Sequence, residues 1–185
     1  QRELESIGIQ NLKIWNRAID KSIFRPIISE ELDPYYLYVG RVSREKNLEA
    51  FFSLDLDLPK VVVGEGPQLK EYKKKFSEVN FIGYKFGDEL AEIYSNARVK
   101  VFPSLTDTFG LVMLEANACG TPVAAYPVTG PIDVISNGIN GYYDQDLKSA
   151  IEKAYSINRA SCFEFADQFS WSNVAKQFLD TLIRL

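Results

Sequence analysis

The segment VKVFPSLTDTFGLVMLEANACGTPVAA, residues 99–125, decides the fold. An apolar run at Val99–Phe102 ends in a polar loop, a helical stretch follows at Leu111–Cys119, and a second apolar run occupies Pro122–Ala125. Short apolar runs that alternate with helices are typical of a parallel sheet covered by helices on both faces. The segment therefore predicts one strand–helix–strand unit of an α/β domain.

The same alternation extends along most of the chain. Three further strands are predicted at Tyr35–Val39, Lys60–Val63 and Val79–Ile82. Helices are predicted at Asn47–Leu54, Gln68–Phe76, Asp88–Asn96, Asp146–Ser156, Arg159–Gln168 and Ser172–Leu185, with a short helix after Pro131 and a turn at Asn137–Gly141. The expected fold is an α/β, Rossmann-like doubly wound parallel sheet with additional C-terminal helices.

The beginning of the chain departs from this pattern. LKIWNRAIDKSIFRP, residues 12–26, indicates one strand followed by an irregular segment anchored by aromatic residues. We interpret residues 1–28 as an incoming connection with a first strand, and residues 29–185 as the ligand-binding domain.

The composition excludes several classes of protein. The 185 residues are 46% hydrophobic and carry a net charge of −4, which indicates a globular domain without the positive field that recruits nucleic acid. No histidine is present, so catalytic triads and metal sites that need histidine are excluded. The two cysteines suggest no disulfide framework, which favours a cytoplasmic location.

Small residues and cations follow the predicted strands. Gly40, Gly64 and Gly83 come at strand ends, which share one edge of a parallel sheet, where ligands bind. Arg41 and Lys46 follow the first of these strands. Together with the helix start near residue 110, which we expect to be buried, they indicate a diphosphate clamp, although two surface cations remain the alternative.

Two carboxylates accompany that helix. Glu115 lies alone among apolar residues, so it needs a cation or a hydrogen-bond donor; a pair of sugar hydroxyls or a structural hydrogen bond to a neighbouring loop would each satisfy it. Asp107, eight residues earlier, either faces a ligand or caps the helix.

Five motifs occur in a fixed order along the chain. They are WNRAIDKSIFRP at 15–26, VGR with EK at 39–46, VGEGP at 63–67, FIG at 81–83 and DTFGLVMLEANACGTPV at 107–123. In this order they resemble the family-4 retaining glycosyltransferases of GT-B fold, also called glycosyltransferase group 1, from Ile14 to the C-terminus. Two positions depart from the family pattern, since Asp107 replaces a glutamate and Ala18 replaces a glycine.

The resemblance implies a role for each site residue. Arg41 and Lys46, as the catalytic pair, would bind the donor diphosphate and stabilise it as a leaving group. The remaining donor-binding residues would contact the sugar nucleotide. Glu115 would bind the ribose, Asp107 would face the transferred sugar, and the backbone of Gly83 and Tyr84 would hold the base. The site would also be lined by Gly40, Phe109, Gly110 and Leu111.

The resemblance also implies the reaction and its participants. The chain would be the C-terminal donor-binding half of a retaining hexosyltransferase that uses a UDP- or GDP-sugar, with no metal or other cofactor. An N-terminal domain, absent from these residues, would hold an acceptor glycan or lipid-linked sugar, so the 185 residues alone are expected to be inactive. The full-length enzyme would work in bacterial-type glycan or glycolipid assembly, in the cytoplasm or associated peripherally with the inner face of the membrane.

Three other interpretations compete with this one. Gly64-Glu65-Gly66 has the first two glycines of a dinucleotide-binding oxidoreductase, but Leu69 stands at the third position. A metal-dependent glycosyltransferase would need an Asp-x-Asp at a carboxyl strand end, whereas Asp55–Asp57 precedes a strand and Asp144–Asp146 opens a helix. A non-catalytic module that binds sugar nucleotides is the third possibility.

Overall fold

Six parallel strands form one sheet in the computed structural model, which describes residues 5–8, 10, 15–27, 33–107 and 109–182. The strands are Tyr35–Val39 (β1), Lys60–Val63 (β2), Asn80–Gly83 (β3), Ala97–Phe102 (β4), Val123–Ala125 (β5) and Gly141–Tyr143 (β6). Their order in the sheet is β3-β2-β1-β4-β5-β6, with every neighbouring pair parallel. This is the order of a doubly wound Rossmann-type sheet, so the predicted fold class is confirmed.

Helices connect and cover the strands. They are Leu48–Phe52 (α1), Leu69–Lys75 (α2), Gly87–Asn96 (α3), Leu111–Ala118 (α4), Pro131–Val134 (α5), Leu147–Tyr155 (α6), Arg159–Ala166 (α7) and Trp171–Thr181 (α8), with 3-10 turns at Arg44–Lys46 and Asp167–Phe169. No helix in the described part of the chain is both long and apolar enough to cross a membrane.

Both faces of the sheet are buried, which explains why its strands are almost continuously apolar. Leu37 and Val39 of β1 belong to the core cluster that includes α3 and α4, whereas Tyr36 and Tyr38 belong to the cluster that includes α1 and α6. Successive side chains on a strand point to opposite faces, so one run of apolar residues supplies both cores.

The edge strand of the sheet was not predicted. The turn expected at residues 137–141 is present at residues 138–140, and its last residue, Gly141, begins β6, which pairs with β5. The prediction of five domain strands was therefore one strand short. Three residues are too few to show an alternating pattern, so β6 is defined by its neighbour rather than by its own sequence.

The segment at residues 15–27 connects to the domain without forming a strand. Ile19 makes an isolated bridge with Ser170, and Phe24 packs edge-on against Tyr94 with ring centroids 6.1 Å apart. The structure has no strand at the described residues 15–26, and residues 12–14, where the strand predicted within residues 12–26 begins, lie outside the described part. The segment is held by packing against the core instead of by sheet pairing.

A topological switch between β1 and β4 positions the site. From β1 the chain winds outward through β2 to β3, and then returns to place β4 on the opposite side of β1. The connections that leave β1 and β4 therefore diverge, which opens a crevice at the carboxyl ends of these two strands.

Candidate functional site

A cavity of about 330 Å³ lies at this switch point. Its lining comes from the segment before the sheet, the end of β1 and the 3-10 turn after it, the end of β4 and the loop after it, and the start of α4. The lining residues are Arg17, Tyr38, Val39, Gly40, Arg41, Lys46, Phe102, Asp107, Phe109, Gly110, Leu111 and Val112. We call it the switch-point cavity. The structure thus brings together seven of the ten predicted site residues in one place.

Arg41 and Lys46 are placed at the cavity by the backbone after β1. The hydroxyl of Tyr38 donates to the carbonyl oxygen of Arg41 over 2.9 Å. Lys46 ends the 3-10 turn, and the next residue, Asn47, adopts a left-handed conformation and donates its side-chain amide to the carbonyl oxygen of Pro103 over 3.1 Å. The turn after β1 is therefore fastened to the end of β4.

Lys46 forms an ion pair across the cavity with Asp107. Its Nζ lies 2.8 Å from Oδ2 of Asp107, and the two side chains are only 25% and 15% exposed. The alternative that Asp107 caps the helix is wrong, because Gly110 occupies the N-cap position of α4. An ammonium group has three donors, so Lys46 can keep Asp107 while it donates to a bound anion.

The start of α4 faces the same cavity. Gly110 has a φ of 76°, and a Cβ there would lie 2.6 Å from Cε of Met113, so this cap favours glycine. The amides of Leu111 and Val112 donate to no residue in the described part of the chain, as expected for a first helical turn. The predicted burial of this helix start is wrong, because Leu111 is 37% exposed where the crevice opens.

The cavity is electrically positive. It is lined by the cations of Arg17, Arg41 and Lys46 against the single carboxylate of Asp107. The guanidinium groups of Arg17 and Arg41 make no ion pair or hydrogen bond with any described residue. Two free cations and the amino end of a helix at one crevice form an arrangement that attracts an anion with several oxygens.

A second cavity of about 390 Å³ continues from the first, and we call it the side cavity. It shares Val39, Gly40, Arg41 and Val112 with the switch-point cavity and extends under the ends of β2 and β3 to Glu115 and Tyr84. The two cavities together form one elongated crevice.

Glu115 lines the side cavity. The Tyr94 hydroxyl donates to Oε2 of Glu115 over 3.0 Å. The donor that this carboxylate was expected to need therefore comes from α3 and not from a neighbouring loop. Burial raises the pKa of Glu115, while the Tyr94 hydrogen bond and the charge of Lys100 act in the opposite direction. Oε1 has no hydrogen-bond partner among the described residues, so it can still accept a bond from a ligand.

Gly83 and Tyr84 are placed differently from each other. Gly83 ends β3, and its carbonyl oxygen accepts from the amide of Gly64 over 2.7 Å, but it lines neither cavity. Tyr84 lines the side cavity, is 69% exposed and lies 6.1 Å from the ring of Phe86. An exposed aromatic ring beside a cavity can stack on a planar ligand group.

Sequence reasoning missed two cations near the crevice. Arg17 belongs to the segment before the sheet, and no local pattern distinguishes it from a surface residue. Lys100 is fully buried in β4, and its ammonium lies 5.2 Å from the ring centroid of Phe102 and 5.5 Å from that of Tyr38. A lysine within the apolar run VKVF is the signal that could have identified it.

The two Asp-x-Asp pairs considered as metal ligands lie outside the crevice. Asp55 and Asp57 precede β2 at its amino end, where Asp57 accepts from the Tyr36 hydroxyl. Asp146 caps α6, and Asp144 pairs with Lys153. Asp55 and Asp57 have the position that the sequence predicted, and Asp146 opens a helix as expected. The prediction is wrong for Asp144, because this residue directly follows β6 and so stands at a carboxyl strand end. None of the four lines the switch-point or the side cavity.

Comparison with known proteins gives a family match over most of the chain. The family model for glycosyl transferases group 1 matches residues 20–161. The GDP-mannose-dependent alpha-mannosyltransferase of Corynebacterium glutamicum is 29% identical over 200 residues, which cover 96% of this chain and 48% of that protein. The sulfoquinovosyl transferase of Arabidopsis thaliana is 34% identical over 146 residues, which cover 70% of this chain and 29% of that protein.

Solved structures share the fold. The sucrose-phosphate synthase of Thermosynechococcus elongatus superposes with a TM-score of 0.80 at 24% identity, over 97% of this chain and 54% of that one. The Anabaena protein HepE in complex with UDP-glucose superposes with a TM-score of 0.75 at 18% identity, over 96% of this chain and 59% of that one. The chain thus spans about half the length of the proteins that it resembles.

Proposed function

Because the chain belongs to the glycosyl transferases of group 1, we propose that it binds the nucleotide-sugar donor of a glycosyltransferase in the crevice described above. The observation that carries the proposal is the convergence of Arg41, Lys46 and the open amides of α4 on one cavity. A diphosphate presents several anionic oxygens within one small group, which suits two cations and a helix N-terminus.

The elongated crevice accommodates the parts of such a donor in order. The diphosphate would lie in the switch-point cavity between Arg41, Lys46 and the amides near Gly110. The nucleoside would extend into the side cavity, with its ribose hydroxyls on Oε1 of Glu115 and its base near Tyr84. Asp107 would then face the transferred sugar while it remains in contact with Lys46.

The chemical contribution of these residues is electrostatic. As the bond from the sugar to the diphosphate breaks, negative charge grows on the leaving oxygen beside Arg41 and Lys46. Cations and amides fixed in advance around that oxygen stabilise the transition state more than the ground state. We further propose that transfer proceeds with retention of configuration, as in family-4 enzymes, and without a metal, because these groups can neutralise the diphosphate themselves.

The donor class, the acceptor and the location are proposed for the whole protein, of which this chain is one part. One relative is named for GDP-mannose and one solved relative holds UDP-glucose, so both donor classes are candidates here. The acceptor, a glycan or a lipid-linked sugar, would be held by a second domain that corresponds to the other half of the relatives. For an enzyme with such an acceptor we propose a cytoplasmic or peripheral membrane location.

The donor class is tested by a thermal-shift panel. UDP, GDP, UDP-glucose and GDP-mannose are compared with NAD⁺ and with the nucleosides alone, because a ligand that binds the folded state raises the melting temperature. We expect one base to stabilise the chain both as its diphosphate and as its sugar conjugate. Stabilisation by NAD⁺ alone would instead favour the dinucleotide-binding interpretation.

The 185 residues, assayed by themselves, are expected to bind a donor without transferring its sugar. Transfer needs an acceptor hydroxyl held against the anomeric carbon, and such positioning contributes about 7–11 kcal/mol to lowering the barrier. A radiolabelled-sugar assay with candidate acceptors measures transfer, and donor hydrolysis is measured in parallel. Efficient transfer to a defined acceptor would contradict the division of labour proposed here.

Replacing Glu115 with glutamine is expected to weaken nucleoside binding without loss of apo stability. Burial disfavours the Glu115 carboxylate, so its removal relieves a cost, while the Gln oxygen still accepts from Tyr94. The loss of a charged acceptor for the ribose hydroxyls should reduce affinity by roughly 10-fold. Calorimetry and melting curves measure both effects, and a destabilised variant with unchanged affinity would make Glu115 a structural residue.

A further inference from the structure

A fully buried lysine lies against two aromatic rings that line the switch-point cavity. Tyr38 and Phe102 both line the cavity, and the ammonium of Lys100 is 5.5 and 5.2 Å from the centroids of their rings. The side chain has no exposed surface, and its one hydrogen bond within the described part of the chain is a long one of 3.4 Å to the carbonyl oxygen of Val101. A buried ammonium with so little compensation is costly, so its presence here calls for a reason.

The groups that act on Lys100 all belong to the crevice. Two carboxylates attract it, Glu115 from α4 and Asp107 from the loop after β4, while Lys46 repels it. Tyr38 of β1 presents its ring, and Tyr94 of α3 reaches the cluster through Glu115. Lys46 and Asp107 line the switch-point cavity and Glu115 lines the side cavity, so an anion bound in the crevice would lie among the charged groups that act on Lys100.

Resting on the function proposed above, we propose that Lys100 is a buried counter-charge of the switch-point cavity, so that binding of the donor diphosphate is coupled to uptake of one proton by this amine. The proton comes from solvent and converts the neutral amine into an ammonium group. In the apo cavity the carboxylate of Asp107 is already paired with the ammonium of Lys46. The bound diphosphate supplies the further negative charge that stabilises the ammonium form of Lys100.

The charge state of the apo protein makes this coupling effective. Burial, opposed by Glu115 and Asp107, lowers the pKa of Lys100 from 10.5 to about 7. Near pH 8 the apo amine is therefore mostly neutral. An anion placed above Tyr38 and Phe102 favours the ammonium form and raises the pKa again, so the complex holds more protons than its components. By linkage, the same coupling makes affinity fall as the pH rises above about 7.

Calorimetric titration measures this proton uptake directly. UDP-glucose and GDP-mannose are suitable probes, because their diphosphates carry no proton near neutral pH. Wild type and Lys100→Met are titrated at about pH 8 in buffers of different ionisation enthalpy, and phosphate buffer is avoided because it competes for the site. We expect uptake of roughly half a proton in wild type and none in the variant. From about pH 7 to 9, wild-type affinity should fall by about three- to tenfold, while that of Lys100→Met stays nearly flat.

Lys60→Met is the matched control. Lys60 is another lysine whose pKa is lowered by burial, but it lies in β2 at the amino end of the sheet, where it donates to the carbonyl oxygens of Phe52 and Leu54. Its removal should leave the proton uptake at the wild-type value. Lys100→Gln provides a second neutral variant that keeps a polar group at this position in the core.

Apo stability provides a readout that needs no ligand. Between about pH 7 and 10.5 the unfolded chain holds a proton on Lys100 that the folded chain lacks, so this residue makes stability rise with pH in that window. Lys100→Met should melt higher than wild type at pH 6, and the difference should shrink as the pH approaches 10. Loss of this pH-dependent difference would overturn the assignment of a buried, titrating amine.

The outcomes separate this inference from the proposed function. Binding without a difference in proton uptake between wild type and Lys100→Met would refute the coupling and leave donor binding intact. No binding by wild type at any pH would overturn both. Uptake that is present in wild type and Lys60→Met but absent in both Lys100 variants would support the coupling.

Discussion

Replacing Lys46 with alanine is expected to reduce the affinity for the donor diphosphate by about 10- to 150-fold. The change removes a charged hydrogen bond to a partly buried phosphate, which contributes about 1.5–3 kcal/mol. It also leaves the carboxylate of Asp107 in the cavity without the ammonium that now lies 2.8 Å away. Calorimetric titration with UDP-glucose and GDP-mannose measures the effect.

Two further variants define the cause of that loss. Lys75→Ala breaks an ion pair with Glu49 in which both side chains are about half exposed, so affinity should stay within about twofold of wild type. Asp107→Asn, added to Lys46→Ala, should recover part of the affinity by removing the repulsion between Asp107 and the phosphate. A Lys46→Ala protein that melts early but binds the donor normally would show that Lys46 is structural.

Replacing Gly64 with alanine is expected to have the largest effect on stability. Gly64 follows β2 with a φ of 127°, and a Cβ there would lie 2.0 Å from the carbonyl oxygen of Gly40. Because the obstacle is backbone, no rotamer change relieves the collision. Backbone strain and overpacking together should lower the free energy of unfolding by about 2–6 kcal/mol, and urea unfolding measures this change.

Gly87→Ala is the matched control for this substitution. Gly87 also has a positive φ, of 59°, but a Cβ there would meet no atom within 4 Å. The free energy of unfolding of this variant should fall only by the cost of a left-handed conformation, about 1–2 kcal/mol. Equal losses for the two variants would mean that the ends of β1 and β2 are not packed as closely as described.

The regular part of the fold could be predicted from local patterns. The bounds of β1 and β2 were predicted to the residue, because each is an apolar run with turn residues at its carboxyl end. β6 was missed, since its three residues become a strand only by pairing with β5. The strand expected at the beginning of residues 12–26 stays a prediction, since residues 12–14 lie outside the described part, whereas Ile19 and Phe24 are held by side-chain packing.

The site was predictable only where strand ends determine position. Arg41 and Lys46 could be located because they follow β1, and the carboxyl ends of parallel strands share one edge. The partners of the two carboxylates could not be located from the sequence, because they are distant along the chain: Lys46 is 61 positions from Asp107, and Tyr94 is 21 positions from Glu115. Lys100 was overlooked for a related reason, since its burial depends on side chains from several distant elements.

The donor site between β1 and β4 is tested by calorimetric titration, in the presence of EDTA, with the nucleotide sugar that gives the largest thermal shift. We expect saturable binding of one donor per chain, with the same Kd in EDTA and in Mg²⁺, and with weaker binding as the salt concentration rises. Binding that appears only when Mn²⁺ or Mg²⁺ is added, or no binding of any nucleotide sugar at millimolar concentration, would contradict a metal-free donor site between β1 and β4.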